Sequence, residues 1–136
     1  MKIVIYGTKY TAKIIAEIII ENKAFEIVGF LGNKNEKKNL LNKKIYQDIS
    51  FIGDNSLIPK LPLNGIDGFI IGVGNIFLRE KLYYEFHNYG LKPISAISKH
   101  SIISPLAKLG NGVTIGHSSI ISANVEINDN TFVGNN

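Results

Sequence analysis

The chain has 136 residues and a mass of 15.0 kDa, room for one domain with a real core or for one domain and part of a second. Its 45% hydrophobic and 19% charged residues exclude wholesale disorder. The absence of cysteine excludes disulfides, thiolate catalysis and thiolate metal sites, and fits a cytoplasmic location. The longest apolar run, Ile14 to Ile20, is broken by Glu17 and falls short of the roughly 18 residues that span a bilayer. It also lacks the organisation of a signal peptide, so no membrane partner is expected. The net charge of +4 is uneven, with Lys34, Lys37, Lys38, Lys43 and Lys44 gathered among asparagines. No aromatic side chains interleave there for base stacking. The stretch therefore reads as a solvated, mobile loop between two strands, and no nucleic-acid partner is expected.

From the N-terminus, Lys2 to Tyr6 reads as a short buried strand ended by Gly7. Ile14, Ile15, Ile18 and Ile19 form an apolar stripe with the helical period, predicting a helix over Thr11 to Asn22. Glu26 to Leu31 is a second strand, closed by Gly32-Asn33. After the lysine stretch come a weak strand around Ile45 to Ile52 and a loop with Gly53-Asp54, Pro59 and Pro62. Gly68 to Val73 is a clear strand, and Ile76 to Asn88 a helix with Leu78, Leu82 and Phe86 on one face. Gly90 suits its C-terminal cap, because glycine takes the left-handed conformation without strain. Lys92 to Ile97 reads as a last strand.

This alternation predicts a small Rossmann-like parallel sheet covered by helices over residues 1–97. Ligands of such sheets sit at the carboxyl ends of the strands. Those ends are Gly7 to Thr11, Leu31 to Asn33 and Gly72 to Asn75, three polar, glycine-containing turns that make a coherent pocket rim.

Beyond Ser98 the texture changes. Apolar residues recur with a spacing of six at Ile103, Leu109, Ile115, Ile121, Ile127 and Val133. Four places after each of the first five comes a small or β-branched residue: Ala107, Val113, Ser119, Val125 and Thr131. A hexapeptide period means a parallel β-helix, here the start of a left-handed one over residues 98–136. Each hexad supplies one face of a triangular prism, its first side chain points to the axis, and Gly or Asn permits the tight corner. Three hexads make a coil, so this segment predicts just under two coils. A solenoid needs about three repeats and a cap, so the expectation is an incomplete version of a longer protein.

The order of these features is informative: a glycine turn after the first strand, Gly72-Val-Gly-Asn75 with Arg79, then hexads from Ser101 to Gly134. Together they resemble the hexapeptide-repeat acyltransferases of the sialic-acid O-acetyltransferase and UDP-amino-sugar N-acetyltransferase family. The resemblance implies an enzyme of surface-glycan synthesis. Its N-terminal domain would bind a sugar or UDP-amino-sugar, and its β-helix would assemble as a homotrimer and use acetyl-CoA as co-substrate, without a metal. A β-helix histidine would act as general base, since imidazole titrates near working pH, and a backbone N–H would stabilise the oxyanion. Carried onto this sequence, the substrate-binding residues are Gly7, Thr8, Lys9, Tyr10, Thr11, Gly32, Asn33, Gly74, Asn75 and Arg79.

Three departures from the family stand out. The first turn reads Gly7-Thr-Lys-Tyr-Thr-Ala12, with less glycine and no histidine, and Lys9 and Tyr10 read equally as ligand contacts or exposed turn residues. The second strand ends in Gly32-Asn33 rather than in acidic residues, which weakens the case for nucleotide contacts there. The family's catalytic histidine falls one hexad past the segment ending at Asn136, so the chain is expected to be weakly active or inactive. Of its own histidines, His87 reads as a surface residue and His100 as structural. His117, at an outward position of the third hexad, is the sole candidate substitute.

Two other function classes are weighed. One is a non-catalytic nucleotide-sugar-binding or trimeric scaffold module. The other is an NAD-dependent oxidoreductase, for which Gly7-Thr-Lys-Tyr-Thr-Ala retains only the first glycine of the dinucleotide fingerprint.

Overall fold

The computed structural model describes residues 1–136. Strands β1 (Lys2–Tyr6), β2 (Glu26–Gly32), β4 (Ile49–Asp54), β5 (Gly68–Ile71) and β6 (Lys92–Pro93) run parallel. The edge strand β3 (Lys44–Tyr46) pairs antiparallel to β4, and the sheet order is β3-β4-β2-β1-β5-β6. Helices α1 (Tyr10–Asn22) and α3 (Ile76–Asn88) cover its two faces.

The side-chain period of a strand explains the layering. Ile3 and Ile5 of β1 point to α1, joining Ile15, Ile18, Ile19, Phe30 and Phe51. Val4 and Tyr6 point the other way, joining Leu31, Phe69, Ile71, Leu82 and Phe86 beneath α3. Burial on both faces is why β1 is a continuous apolar run. At the end of α3, Gly90 takes a φ of +82°, as its capping position anticipates.

Three segments differ from expectation. The lysine-rich loop is instead helix α2 (Lys34–Leu40), because Asn33 and Glu36 form a reciprocal capping box at its start. The strand around 45–52 is a hairpin of β3 and β4, turned at Gln47 with a φ of 50°. The strand over 92–97 breaks in two: β6 completes the sheet, and β7 (Ala96–Ile97) belongs to the hexad region.

That region consists of two-residue strands. β7, β10 (Thr114–Ile115) and β13 (Phe132–Val133) stack in parallel on one face. β8 (Ile102–Ile103) with β11 (Ile120–Ile121), and β9 (Lys108–Leu109) with β12 (Glu126–Ile127), make the other two. Partners are eighteen residues apart, as in Thr114 with Phe132, which is the three-hexad coil of the expected β-helix. Val113, Ile115 and Ile121 are buried in its axis, with Ile97, Ile103, Ile127 and Val133 packed around them.

The corners divide labour differently from the simple expectation. The left-handed positions recur every six residues at Gly112, Ser118, Asn124, Asn130 and Asn136, with φ between 59° and 71°. Gly110 and Gly116 serve another purpose. A Cβ on Gly116 would lie 2.6 Å from the carbonyl carbon of Gly134, so the next coil leaves no room for a side chain.

The outward sides of the three faces differ. Ala96 and Thr114 are buried, and Phe132 packs into the core cluster of α1. Ile102 and Ile120, one above the other, are both about two-thirds exposed (67% and 68%). Lys108 and Glu126 form an exposed ion pair at 3.5 Å. No helix is long and apolar enough to cross a membrane.

Candidate functional site

The crevice lies at the carboxyl ends of β1, β2 and β5, where the sheet order places β2 on one side of β1 and β5 on the other. Crossovers leaving in opposite directions open a gap at this switch point. The β1 turn and the β5 turn close its floor. Gly72 N donates to the Tyr6 carbonyl at 2.6 Å, and Gly7, with a φ of +129°, lies so close to the Gly72 carbonyl that no side chain fits. A Cβ on Gly72 would lie 2.8 Å from Ala12 Cα. The two glycines let the turns meet and bring the start of α1 to the crevice.

Helix α1 begins without a side-chain cap: Lys9 occupies the N-cap and offers no acceptor. No acidic residue stands in its first turn. Its first N–H groups, of Tyr10, Thr11 and Ala12, therefore present donors and the positive end of the helix dipole. Lys9 and Tyr10 are exposed, Tyr10 at 71%, whereas Thr8 and Thr11 are half-buried.

The other candidates separate by what their side chains already do. Asn33 is committed to capping α2: its Oδ1 accepts from Glu36 N at 2.8 Å. Asn75 caps α3 in the same way, accepting from Leu78 N at 2.9 Å. Gly32 lies where a Cβ would meet the Glu36 carboxylate at 2.7 Å, and Gly74 faces open space. These residues line the rim chiefly through backbone.

Arg79 points inward. Its Nη1 donates to the carbonyls of Ile71 (2.9 Å) and Val73 (3.0 Å). Its Nη2 donates to the Asn130 carbonyl (2.7 Å) and Oδ1 (3.1 Å), and Nε to the Asn130 carbonyl (3.2 Å). A guanidinium has five N–H donors, and here each has a protein acceptor. The side chain is 5% exposed, and burial pulls its pKa below the ordinary value. The reading of Arg79 as a substrate contact thus meets a guanidinium with no donor to spare.

Sequence reasoning missed Glu36. From the first turn of α2 its carboxylate reaches back to accept from the Thr8 hydroxyl and from Asn33 N. An acid therefore stands at the end of β2 after all, delivered by a helix rather than by the strand. The Asn-x-x-Glu spacing of Asn33 and Glu36 is a capping-box signature and was available as a signal. Beside it, Tyr6 donates to Asn55 Oδ1 at 2.5 Å, and Asn55 in turn donates to Glu85 at 3.3 Å. Burial, then the nearby Glu36, Glu85 and Asp54, push the Tyr6 phenol up to about 12. The Ser56 hydroxyl, 2.5 Å from Asp54, holds that carboxyl below its usual range. A shallow cavity of about 410 Å³ opens here, lined by Asn33, Lys34, Asn35, Asp54, Asn55 and Ser56. The end of the sheet around β2 and β4 is thus rich in acceptors, and the start of α1 is rich in donors.

The three histidines stand away from this crevice. His87 is exposed at the last turn of α3 and stacks with Tyr83. His100 pairs with Glu21 at 2.8 Å. His117 lies with Nδ1 2.7 Å from Ser98 Oγ and Nε2 3.6 Å from Glu17, so its outward position is covered by α1 of its own chain. No cluster of three or more His, Asp or Glu side chains is arranged to hold a metal.

Comparison with known proteins places this architecture. The PglD N-terminal domain family matches residues 2–86. The chain belongs to that family. A histidine-to-asparagine variant of perosamine N-acetyltransferase from Caulobacter crescentus, in complex with CoA and GDP-perosamine, superimposes with a TM-score of 0.86 at 22% identity. The match covers 97% of this chain and 59% of that one. PerB from Caulobacter crescentus, with the same two ligands, gives 0.83 at 21% identity over 99% of this chain and 63% of its own. The acetyltransferase domain of PglB from Neisseria gonorrhoeae, in complex with acetyl coenzyme A, gives 0.77 at 18% identity over 98% and 64%. At such identities the likeness is one of fold, and the chain spans about three-fifths of the length of these proteins. No curated protein matches the sequence.

Proposed function

We propose that residues 1–97 bind a nucleotide-sugar and that the chain serves an acetyl-CoA-dependent sugar acetyltransferase of surface-glycan synthesis. The observation that carries the reading is the polarity of the crevice. The uncapped start of α1, with Lys9 beside it, suits an anionic diphosphate. The carboxylate of Glu36 suits the hydroxyls of a ribose, the role an acid plays at this point of a dinucleotide fold. Thr8 and Thr11 border the phosphate position, Gly7 and Gly32 let the Gly72 turn and the Glu36 carboxylate close in beside it, and Gly74 and Asn75 face the sugar from the β5 side. Tyr10 offers an exposed ring beside them. Kinship with the PglD N-terminal domain supports the same assignment.

In this scheme the acceptor amine or hydroxyl is held at the rim and loses its proton to a base as it attacks the thioester carbonyl, and the C–S bond breaks to release the thiolate, which takes up a proton. His117 does not face the rim: its Nδ1 lies against Ser98 Oγ and its Nε2 is turned toward Glu17 on α1. Acetyl-CoA is the co-substrate by kinship alone. The outer side of one face of the coils is an apolar strip, and on another Lys108 and Glu126 pair beside an open cavity of about 540 Å³ that Gly110 and Asp129 also line.

The Ile102–Ile120 strip supports a second element of the proposal, assembly as a homotrimer through the β-helix, because contiguous exposed apolar surface marks an interaction site. A cytoplasmic location accompanies the reading. The alternative is a non-catalytic nucleotide-sugar-binding or scaffold module. The dinucleotide reading is weaker: the Gly7 turn lacks the second and third fingerprint glycines, although Glu36 restores an acid.

Calorimetric titration with UDP and with a UDP-amino-sugar tests the proposal. Binding that requires both the uridine and the amino-sugar is expected and favours N-acetylation. Binding of neither removes the nucleotide-sugar reading and points to a free sugar acceptor.

A further inference from the structure

We infer that Arg79 is a positioning residue: it ties the β5–α3 turn, one wall of the crevice, to the second coil of the β-helix, so that the two respond as a single unit. The need for such a tie follows from strand lengths. β6 has two residues and pairs only with Gly68 and Phe69, and the last sheet bond to β5 runs from Ile94 N to the Phe69 carbonyl. The carbonyls of Ile71 and Val73 lie past that point and have no neighbouring strand on the β6 side. Buried carbonyls without partners are costly, and Nη1 of Arg79 satisfies both. The guanidinium stands in for the missing length of edge strand.

Its other edge grips the β-helix. Asn130 is a left-handed corner, φ 59°, whose carbonyl and Oδ1 both face the guanidinium. Asn130 Nδ2 returns a hydrogen bond to the Arg79 carbonyl at 2.9 Å, so the clasp is closed in both directions. No carboxylate lies within ion-pair distance of Arg79, and the buried charge rests on carbonyl dipoles alone. Losing any of them leaves it poorly solvated, which makes the clasp all-or-none. On the far side, Gly72 is bonded to Tyr6 and pressed against Gly7. A continuous line of contacts thus runs from the Gly7 turn through Gly72 and Arg79 to Asn130, and from Thr131 to β10, where Thr114 N donates to the Thr131 carbonyl. Displacement of the crevice wall is carried into the coil.

Amide hydrogen exchange on the whole chain tests this, in an arm without ligand and an arm with UDP-amino-sugar. The ligand arm rests on the nucleotide-sugar reading; the other does not. In the wild type, the amides of Gly72 and Arg79 at the rim and of Thr114 and Gly116 in the coil should open together. Asn130→Gly keeps the left-handed corner and the carbonyl and removes only the side-chain bonds. It should speed exchange at Thr114 and Gly116 about tenfold and uncouple them from Gly72. Arg79→Lys, which keeps charge with fewer donors, should do the same, and the double variant should exchange no faster than Arg79→Lys alone. With ligand, the wild type should show added protection at Thr114 and Gly116, and Asn130→Gly should bind yet transmit none. Rim and coil amides that already open independently in the wild type, or additive effects of the two substitutions, overturn the inference. Should the wild type bind no nucleotide-sugar, the reading of the crevice fails and the ligand-free arm alone decides the role of Arg79.

Discussion

The sheet and the coils both bury parallel strands, but they hold themselves together in different ways. The sheet sits between clusters of thirteen and eleven buried residues, and its strands are covered on both faces. The coils have three buried side chains on their axis, Val113, Ile115 and Ile121, and strands of two residues. What the coils lack in core they recover from three supports. One is the α1 seam, where Asn22 Nδ2 donates to the Ile97 carbonyl and Lys99 and His100 meet Glu21. The second is the Arg79 clasp, and the third the stacking of each coil on the last. Stability in the coils is therefore a property of their docking, as expected for a solenoid unit that cannot bury its hydrophobic face alone.

The contrast can be tested by substitutions of decreasing consequence. Phe30→Ala, at a fully buried position beneath α1, should cost about 3–5 kcal/mol and lower the chemical denaturation midpoint for the whole chain. Ile115→Ala should cost about 2–4 kcal/mol but act locally, with exchange accelerated in the coils and slow amides of β1 and β2 nearly unchanged. Equal loss of protection in both regions would show that they are one cooperative unit. Gly116→Ala should cost about 1–3 kcal/mol because backbone of the next coil blocks the new Cβ, whereas Gly134→Ala, whose nearest neighbour is Phe132 at 3.6 Å, should be close to neutral by thermal denaturation.

A fourth test uses pH. The Tyr6 phenol titrates higher in the folded chain than the ordinary 10, at about 12. Above pH 10 the unfolded chain loses this proton first, so the contribution is complete below pH 10 and is lost as pH rises toward 12. Urea midpoints should fall over that interval, and Tyr6→Phe should flatten the slope. It should not abolish it, since burial also raises Tyr46 and Tyr83. Smallest of all, Ser118→Gly should stabilise the coils by about 0.5 kcal/mol, because Ser118 holds a left-handed φ of 60° that glycine adopts freely.

Much of this was readable before the fold was seen, and for definite reasons. The runs at Ile3–Ile5 and the stripe of Ile14, Ile15, Ile18 and Ile19 carry strong periodicity, and the hexads carry a stronger one. α2 was not legible by pattern, because no residue in it is buried. Its helix is set by a cap and held by its ends, so hydrophobic spacing was silent. The same cap hid the acid of the crevice, which appears at the end of β2 only once α2 folds back. Arg79 was found as a rim residue by motif, but the direction of its side chain depends on Asn130, fifty-one residues away. No local pattern reports such a pairing.

The hexads also carry two periods at once. Inside the prism the repeat is six, since any aliphatic residue serves at the axis. Outside it is eighteen, because only every third hexad lies beneath α1, with Ala96, Thr114 and Phe132 there in turn. Inserting one hexad would leave the interior intact and rotate the exterior by a face, bringing Lys108 or Glu126 under the helix. Inserting a whole coil would disturb neither. Changes in the length of such a segment are therefore tolerated in steps of a coil rather than of a repeat, and that quantum is set by the neighbour outside rather than by the packing within.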